Sequence, residues 1–121
     1  GLLRRGASAR SRPPGEELVR RRRLERFVDS VEATIDPGSA PQEFLSAINR
    51  IFKIVAVEAF PDRHCARMQG PEWVDFLQRH APVQNGAEQL AALAVGPYQP
   101  APDFDHDTVA RLARHWIRRY G

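Results

Sequence analysis

Apolar residues in this chain return every three to four positions, in stretches cut apart by proline and glycine, and that spacing commits the fold to helices. Leu18, Leu24, Phe27, Val28, Val31 and Ile35 form the first such set, which Asp36-Pro37-Gly38 ends. Ser39 with Gln42 three positions on has the form of a capping box, and Phe44, Leu45, Ile48, Ile51, Phe52, Val55 and Ala59 then follow helical spacing. Ile54 and Val57 lie off that stripe, which predicts a central helix buried on most sides. Phe60-Pro61 closes it, because the residue before a proline is biased away from helix.

Residues 61–68 have room for one or two further turns, with Ala66 and Met68 facing inward. Gly70-Pro71 opens another helix in which Trp73, Phe76 and Leu77 cluster at i, i+3 and i+4. Asn85 with Glu88 repeats the capping pattern ahead of an inward face of Leu90, Leu93 and Val95, and Gly96-Pro97 breaks that helix. A loop over Tyr98 to Pro102 leads to a last helix from Asp105, whose carboxylate is placed to accept from the first-turn amides, with Phe104 and Val109 as a hydrophobic staple. Val109, Leu112, Ala113, Trp116, Ile117 and Tyr120 define one face of it, and Arg111, Arg114, Arg118 and Arg119 the other. No strand alternation competes with these readings. The sequence therefore predicts an all-α, compact bundle of about five helices over residues 16–121, preceded by a flexible basic linker over residues 1–15.

Charge is segregated along the chain. Residues 1–26 hold nine Arg against three Glu, while the remainder holds nine Lys or Arg against twelve acids, so a basic arm precedes a mildly acidic body. Such a block attracts polyanions, either nucleic acid or an anionic membrane surface. Arg20 to Arg23 is its sharpest feature, since four consecutive arginines cover all sides of a helix and some must lay their stems along the apolar face. No stretch approaches the roughly 18 to 20 apolar residues that span a bilayer. The chain opens on Gly1 rather than Met, and it is expected to be a piece of a longer protein whose N-terminal neighbour lies upstream.

Catalytic and metal-binding patterns find little support. Asp103-Phe-Asp105-His-Asp107 starts like a calcium loop, but the sixth and twelfth positions hold Thr108 and Arg114, where Gly and an acid are needed. His64 beside Cys65 suggests a nucleophile and base, yet neighbours on a helix point about 100° apart. Cys65 is the single cysteine and lacks zinc-spaced companions. Phosphate-cradling glycine loops are absent. The expectation is a chain without catalytic residues, cofactor or metal.

Taken in order, the arginine run Arg20 to Arg23, the helix ending in Phe60-Pro61, the segment Met68-Gln-Gly70-Pro-Glu-Trp73-Val-Asp-Phe76-Leu77, Tyr98-Gln-Pro100 and Trp116-Ile-Arg-Arg resemble a bacterial family of uncharacterised small single-pass membrane proteins. In that family a transmembrane helix precedes an arginine-rich stretch and a helical C-terminal domain, and the genes commonly lie beside those for MoxR-type AAA+ ATPases and von Willebrand factor A-domain membrane proteins. The resemblance implies a membrane-anchored component of such a system, partnering the ATPase, the A-domain protein or both, and it supplies no catalytic residues. Arg4, Arg5, Arg10, Arg12, Arg20, Arg21, Arg22 and Arg23 would be the membrane-proximal basic set, and Phe60, Pro61, Gly70, Trp73, Phe76, Leu77, Tyr98 and Trp116 the structural motif. Basic residues within about 15 to 20 positions of a membrane helix mark its cytoplasmic side, which would place the domain there and keep Cys65 reduced. Nucleic-acid binding through the arm is the alternative, and the acidic body and the lack of a recognisable helix-turn-helix weigh against it.

Overall fold

The computed structural model describes residues 14–81 and 86–121, so Arg4, Arg5, Arg10, Arg12 and the Asn85 cap lie outside the described residues. Helix α1 runs Pro14–Thr34, with proline in the first turn, where its missing N–H is not needed. Helix α2 runs Pro41–Ala59, α3 Gly70–His80, α4 Ala87–Val95 and α5 His106–Tyr120. Short 3₁₀ turns occupy Pro61–Arg63, Cys65–Arg67 and Gly96–Tyr98. The described residues contain no strand, and the five helices pack together as the all-α bundle that the periodicity predicts.

Helix α2 is the hub. It packs against α1, α4 and α5 and against all three 3₁₀ turns, with Phe44, Leu45, Ile48, Ile51, Phe52, Val55 and Ala56 buried. Its burial is one-sided, however. Ile54 and Val57 are 36% and 42% exposed, because nothing among the described residues covers the outer face of the helix that they occupy. Helix α5 lies along α2 and α1 with Val109, Ala110, Leu112, Ala113, Trp116 and Ile117 buried. The Trp116 ring packs on Phe52, centroids 5.3 Å apart, and its indole N–H donates to the Phe52 carbonyl at 3.2 Å.

Helix α1 buries only Leu24, Val28 and Val31, while Leu18 and Phe27 of the expected set face outward. With so narrow an apolar stripe, charge pairing contributes to its register. Arg114 of α5 reaches Asp29 at 2.6 Å and Glu32 at 2.5 Å, Arg118 reaches Glu25 at 3.7 Å, and Arg20 of α1 reaches Glu58 of α2 at 2.8 Å. Exposed pairs of this kind contribute about 0 to 1 kcal/mol each, so they select an orientation more than they hold it. Part of the polar face of α5 is thus an interhelical clasp.

Several local expectations change. Ser39 does not cap α2; its amide donates to the Asp36 carboxylate at 3.1 Å, closing a turn over Asp36-Pro37-Gly38, and α2 starts from Ala40 without a side-chain cap. The Asp105 carboxylate accepts the Thr108 hydroxyl at 2.7 Å, and that bond, with the first-turn amides of Thr108 and Asp107, holds its pKa below the ordinary carboxylate value. Phe104 stacks on Phe44, centroids 6.0 Å apart. In residues 61–68 it is Cys65 and Met68 that turn inward, and Ala66 is exposed, because a left-handed His64 (φ 57°) resets the phase between the two 3₁₀ turns. Val95 also faces outward, one position past the buried Leu93 and Ala94.

At one end of the bundle Phe60, Phe76, His80, Trp116 and Tyr120 form an aromatic cluster, with His80 4.6 Å from Phe60 and 4.5 Å from Phe76 by centroid. The His80 carbonyl accepts from the Tyr120 hydroxyl at 2.7 Å, but the buried Nε2 of the His80 ring has no partner among the described residues. Desolvation, then the nearby Arg63 and Arg79, lower the His80 pKa below its ordinary 6.5. The folded state therefore prefers neutral His80. The unfolded chain takes up a proton first as pH falls through 6.5, and stability present above that pH is lost toward the lower folded value. Thermal unfolding from pH 8 to pH 5 is expected to show a drop in Tm that His80→Phe reduces, and equal pH slopes in the two proteins would contradict this.

Candidate functional site

The motif residues divide into two groups once folded. Trp73, Phe76, Leu77 and Trp116 are buried, and Phe60 is half-buried in the aromatic cluster, so these hold the core. Pro61 starts a 3₁₀ turn on the surface. Tyr98 is different, being 86% exposed on a turn that is otherwise pinned in place. Gly96 at the start of that turn is buried, and a side chain there would run into Leu45 of α2. On the far side of the turn, the Gln42 amide of α2 donates to the carbonyls of Gln99 at 2.8 Å and Pro100 at 3.3 Å. An exposed tyrosine on a backbone fixed at both ends stabilises little by its own burial, and it is presented at a set position.

Tyr98 forms one rim of a groove of about 690 Å³. Its walls come from α2 (Ser46, Asn49, Lys53), from the segment Ala66 to Gly70 with Trp73, and from Leu93 to Gln99 at the end of α4. Two motif segments that lie far apart in sequence, Met68 to Trp73 and Tyr98-Gln99, therefore converge on one concave surface. Met68 and Leu93 are buried beneath it, while Gln69, Gln99 and Arg67 are exposed.

Lys53 organises this wall, although apolar periodicity does not single it out. Its ammonium donates to the Cys65 carbonyl at 2.9 Å and to the Met68 carbonyl, and it sits over the Trp73 ring, 4.4 Å from the centroid. The Trp73 indole N–H donates in turn to Asn49 at 2.7 Å. Desolvation lowers the Lys53 pKa, an effect that the negative potentials of Cys65 and Glu72 oppose. The signal that could have found it is compositional, since Lys53 is the only lysine in a chain of 17 arginines. A compact ammonium fits between two carbonyls and an indole face where a planar guanidinium fork would not.

Gly70 joins the 3₁₀ segment to α3 at φ +59°. A Cβ there would meet nothing within 4 Å, so the demand for glycine is conformational, not steric. The other candidate chemistry is dispersed. Cys65 is 1% exposed and burial raises its thiol pKa, whereas the adjacent His64 is exposed, so the two form no nucleophile and base pair. Among the described residues no three His, Cys, Asp or Glu side chains gather as metal ligands, and no helix is long and apolar enough to cross a membrane. The arginine run splits as well. Arg20 pairs with Glu58, the Arg21 side chain donates to the Gly121 carbonyl at 3.4 Å, and Arg22 and Arg23 are exposed.

Fold and groove together define a small all-helical domain with a groove on which Gly70, Trp73 and Tyr98 of the motif converge. The chain belongs to the family described as a domain of unknown function, DUF4381, whose match covers residues 2–119. No curated protein and no solved structure matches it.

Because Gly70 occupies the left-handed region in open space, Gly70→Ala is expected to cost about 1 to 2 kcal/mol in denaturant unfolding without altering the helix content. An unchanged unfolding midpoint would show that the segment relaxes to another conformation.

Proposed function

We propose that this chain is a protein-docking domain: the cytoplasmic part of a membrane-anchored component of a MoxR-type ATPase and von Willebrand factor A-domain system, without catalysis of its own. The observation that carries the reading is the convergence of Met68 to Trp73 with Tyr98-Gln99 on one groove, with Tyr98 exposed on a fixed turn. Tyrosines presented in this way are characteristic anchors of protein interfaces. The choice of partners comes from the ordered motifs and the family they resemble, and the membrane assignment from that resemblance together with the basic block over residues 1–26. The tethering of Arg20 and Arg21 within the fold leaves a less continuous cationic track for nucleic acid than four consecutive arginines suggest.

Affinity capture with the tagged chain from solubilised bacterial membranes is expected to retain a MoxR-type ATPase or an A-domain protein. Tyr98→Ala should reduce that retention by about tenfold or more, the effect of losing an aromatic anchor. Recovery of neither partner by the folded chain contradicts the proposal, and equal recovery by Tyr98→Ala contradicts the placement of the interface.

A further inference from the structure

The charges of the groove are one-sided. Its lining includes Lys53 and Arg67 and no carboxylate. Neither cation makes an ion pair among the described residues, whereas Arg20, Arg114 and Arg118, which cross between helices, are matched by acids. Glu72 lies outside the lining and acts on Lys53 only at a distance. The other polar side chains of the wall are the hydroxyls of Ser46 and Tyr98 and the amides of Asn49, Gln69 and Gln99, all of which can both donate and accept.

We propose that the groove takes a short extended segment of a partner protein carrying Asp or Glu, its carboxylates meeting Arg67 and Lys53 while the side-chain amides pair with its main chain. This rests on the docking reading and specifies what is docked. Main-chain hydrogen bonding with alternating side-chain contacts is how an extended peptide gains affinity, and complementary charge gives it selectivity. Single-stranded nucleic acid fits the same surface poorly, because it needs a cationic track along its backbone and open aromatic faces for its bases. Among the described residues the groove offers two cations, and of its two aromatic rings Trp73 is only 1% exposed.

The test selects displayed random peptides of about ten residues on the full chain, then measures the winning peptides by fluorescence anisotropy. Winners enriched in Asp and Glu are expected. Changing their acids to Asn and Gln, or Arg67→Glu in the protein, should each weaken binding by about tenfold or more, with that loss shrinking as salt is raised. Arg67 is exposed, so the variant should fold, and circular dichroism checks that; Arg111→Glu, outside the groove, should bind as wild type. Neutral or basic winners, no winners, indifference to Arg67→Glu, or displacement of a winner by an equally long oligonucleotide at lower concentration would each overturn the assignment. If membrane capture succeeds and depends on Tyr98 while acidic peptides fail, the docking reading survives and the acidic occupant does not. If acidic peptides bind through Arg67 and neither partner is captured, the acidic occupant stands and the ATPase and A-domain partners fall.

Discussion

A single ammonium group ties the 3₁₀ segment between α2 and α3 to the core of this bundle. Lys53 projects from α2 and clasps the carbonyls of Cys65 and Met68 across the face of Trp73. Those carbonyls belong to a 3₁₀ turn and the residue that ends it, backbone that lacks the full hydrogen-bond ladder of an α-helix. The Cys65 carbonyl also accepts the Met68 amide at 3.1 Å, but leaving the Met68 carbonyl unpaired would cost about 1 to 3 kcal/mol, so a charged donor held there stabilises a conformation that propensity alone does not select. The penalty for desolvating Lys53 appears in its lowered pKa, and the two carbonyls together with the indole face offset it.

From that clasp the groove follows. With the 3₁₀ segment fixed, Gly70 turns the chain into α3, and Trp73 drops into the core while bonding Asn49. On the opposite wall, close approach of Gly96 to Leu45 and the Gln42 bonds to Gln99 and Pro100 fix the turn that carries Tyr98. Both walls are therefore referenced to α2, the same helix that organises the hydrophobic core through Ile48, Ile51 and Phe52. A surface fixed this way would keep the ordering cost low for the segment proposed to dock there.

The all-α architecture was legible because helical spacing and proline punctuation agree along the chain, and most residues named on the faces of α2, α3 and α5 are buried. What periodicity could not reveal was which apolar groups lack a neighbour. Ile54, Val57, Leu18 and Phe27 look inward by composition and face outward because the packing gives α1 and α2 only one covered side each. Phase was also lost at His64, where a left-handed residue swaps the roles of Ala66 and Cys65. The motif residues were visible in sequence, but their sorting into core members and an exposed Tyr98 depends on long-range geometry. So does the role of Arg114, which reads as surface charge in sequence and joins α5 to α1 in the fold.

Hydrogen exchange on Lys53→Met tests the dependence of the groove on this clasp most directly. Methionine keeps much of the aliphatic bulk over Trp73 and removes the donors. Amides from Cys65 to Trp73 should exchange about tenfold faster or more, while those of α5 from Val109 to Ile117 keep wild-type protection, as expected for a local opening. Unchanged exchange over residues 65–73, or an equal rise in every helix, would contradict the place given to Lys53.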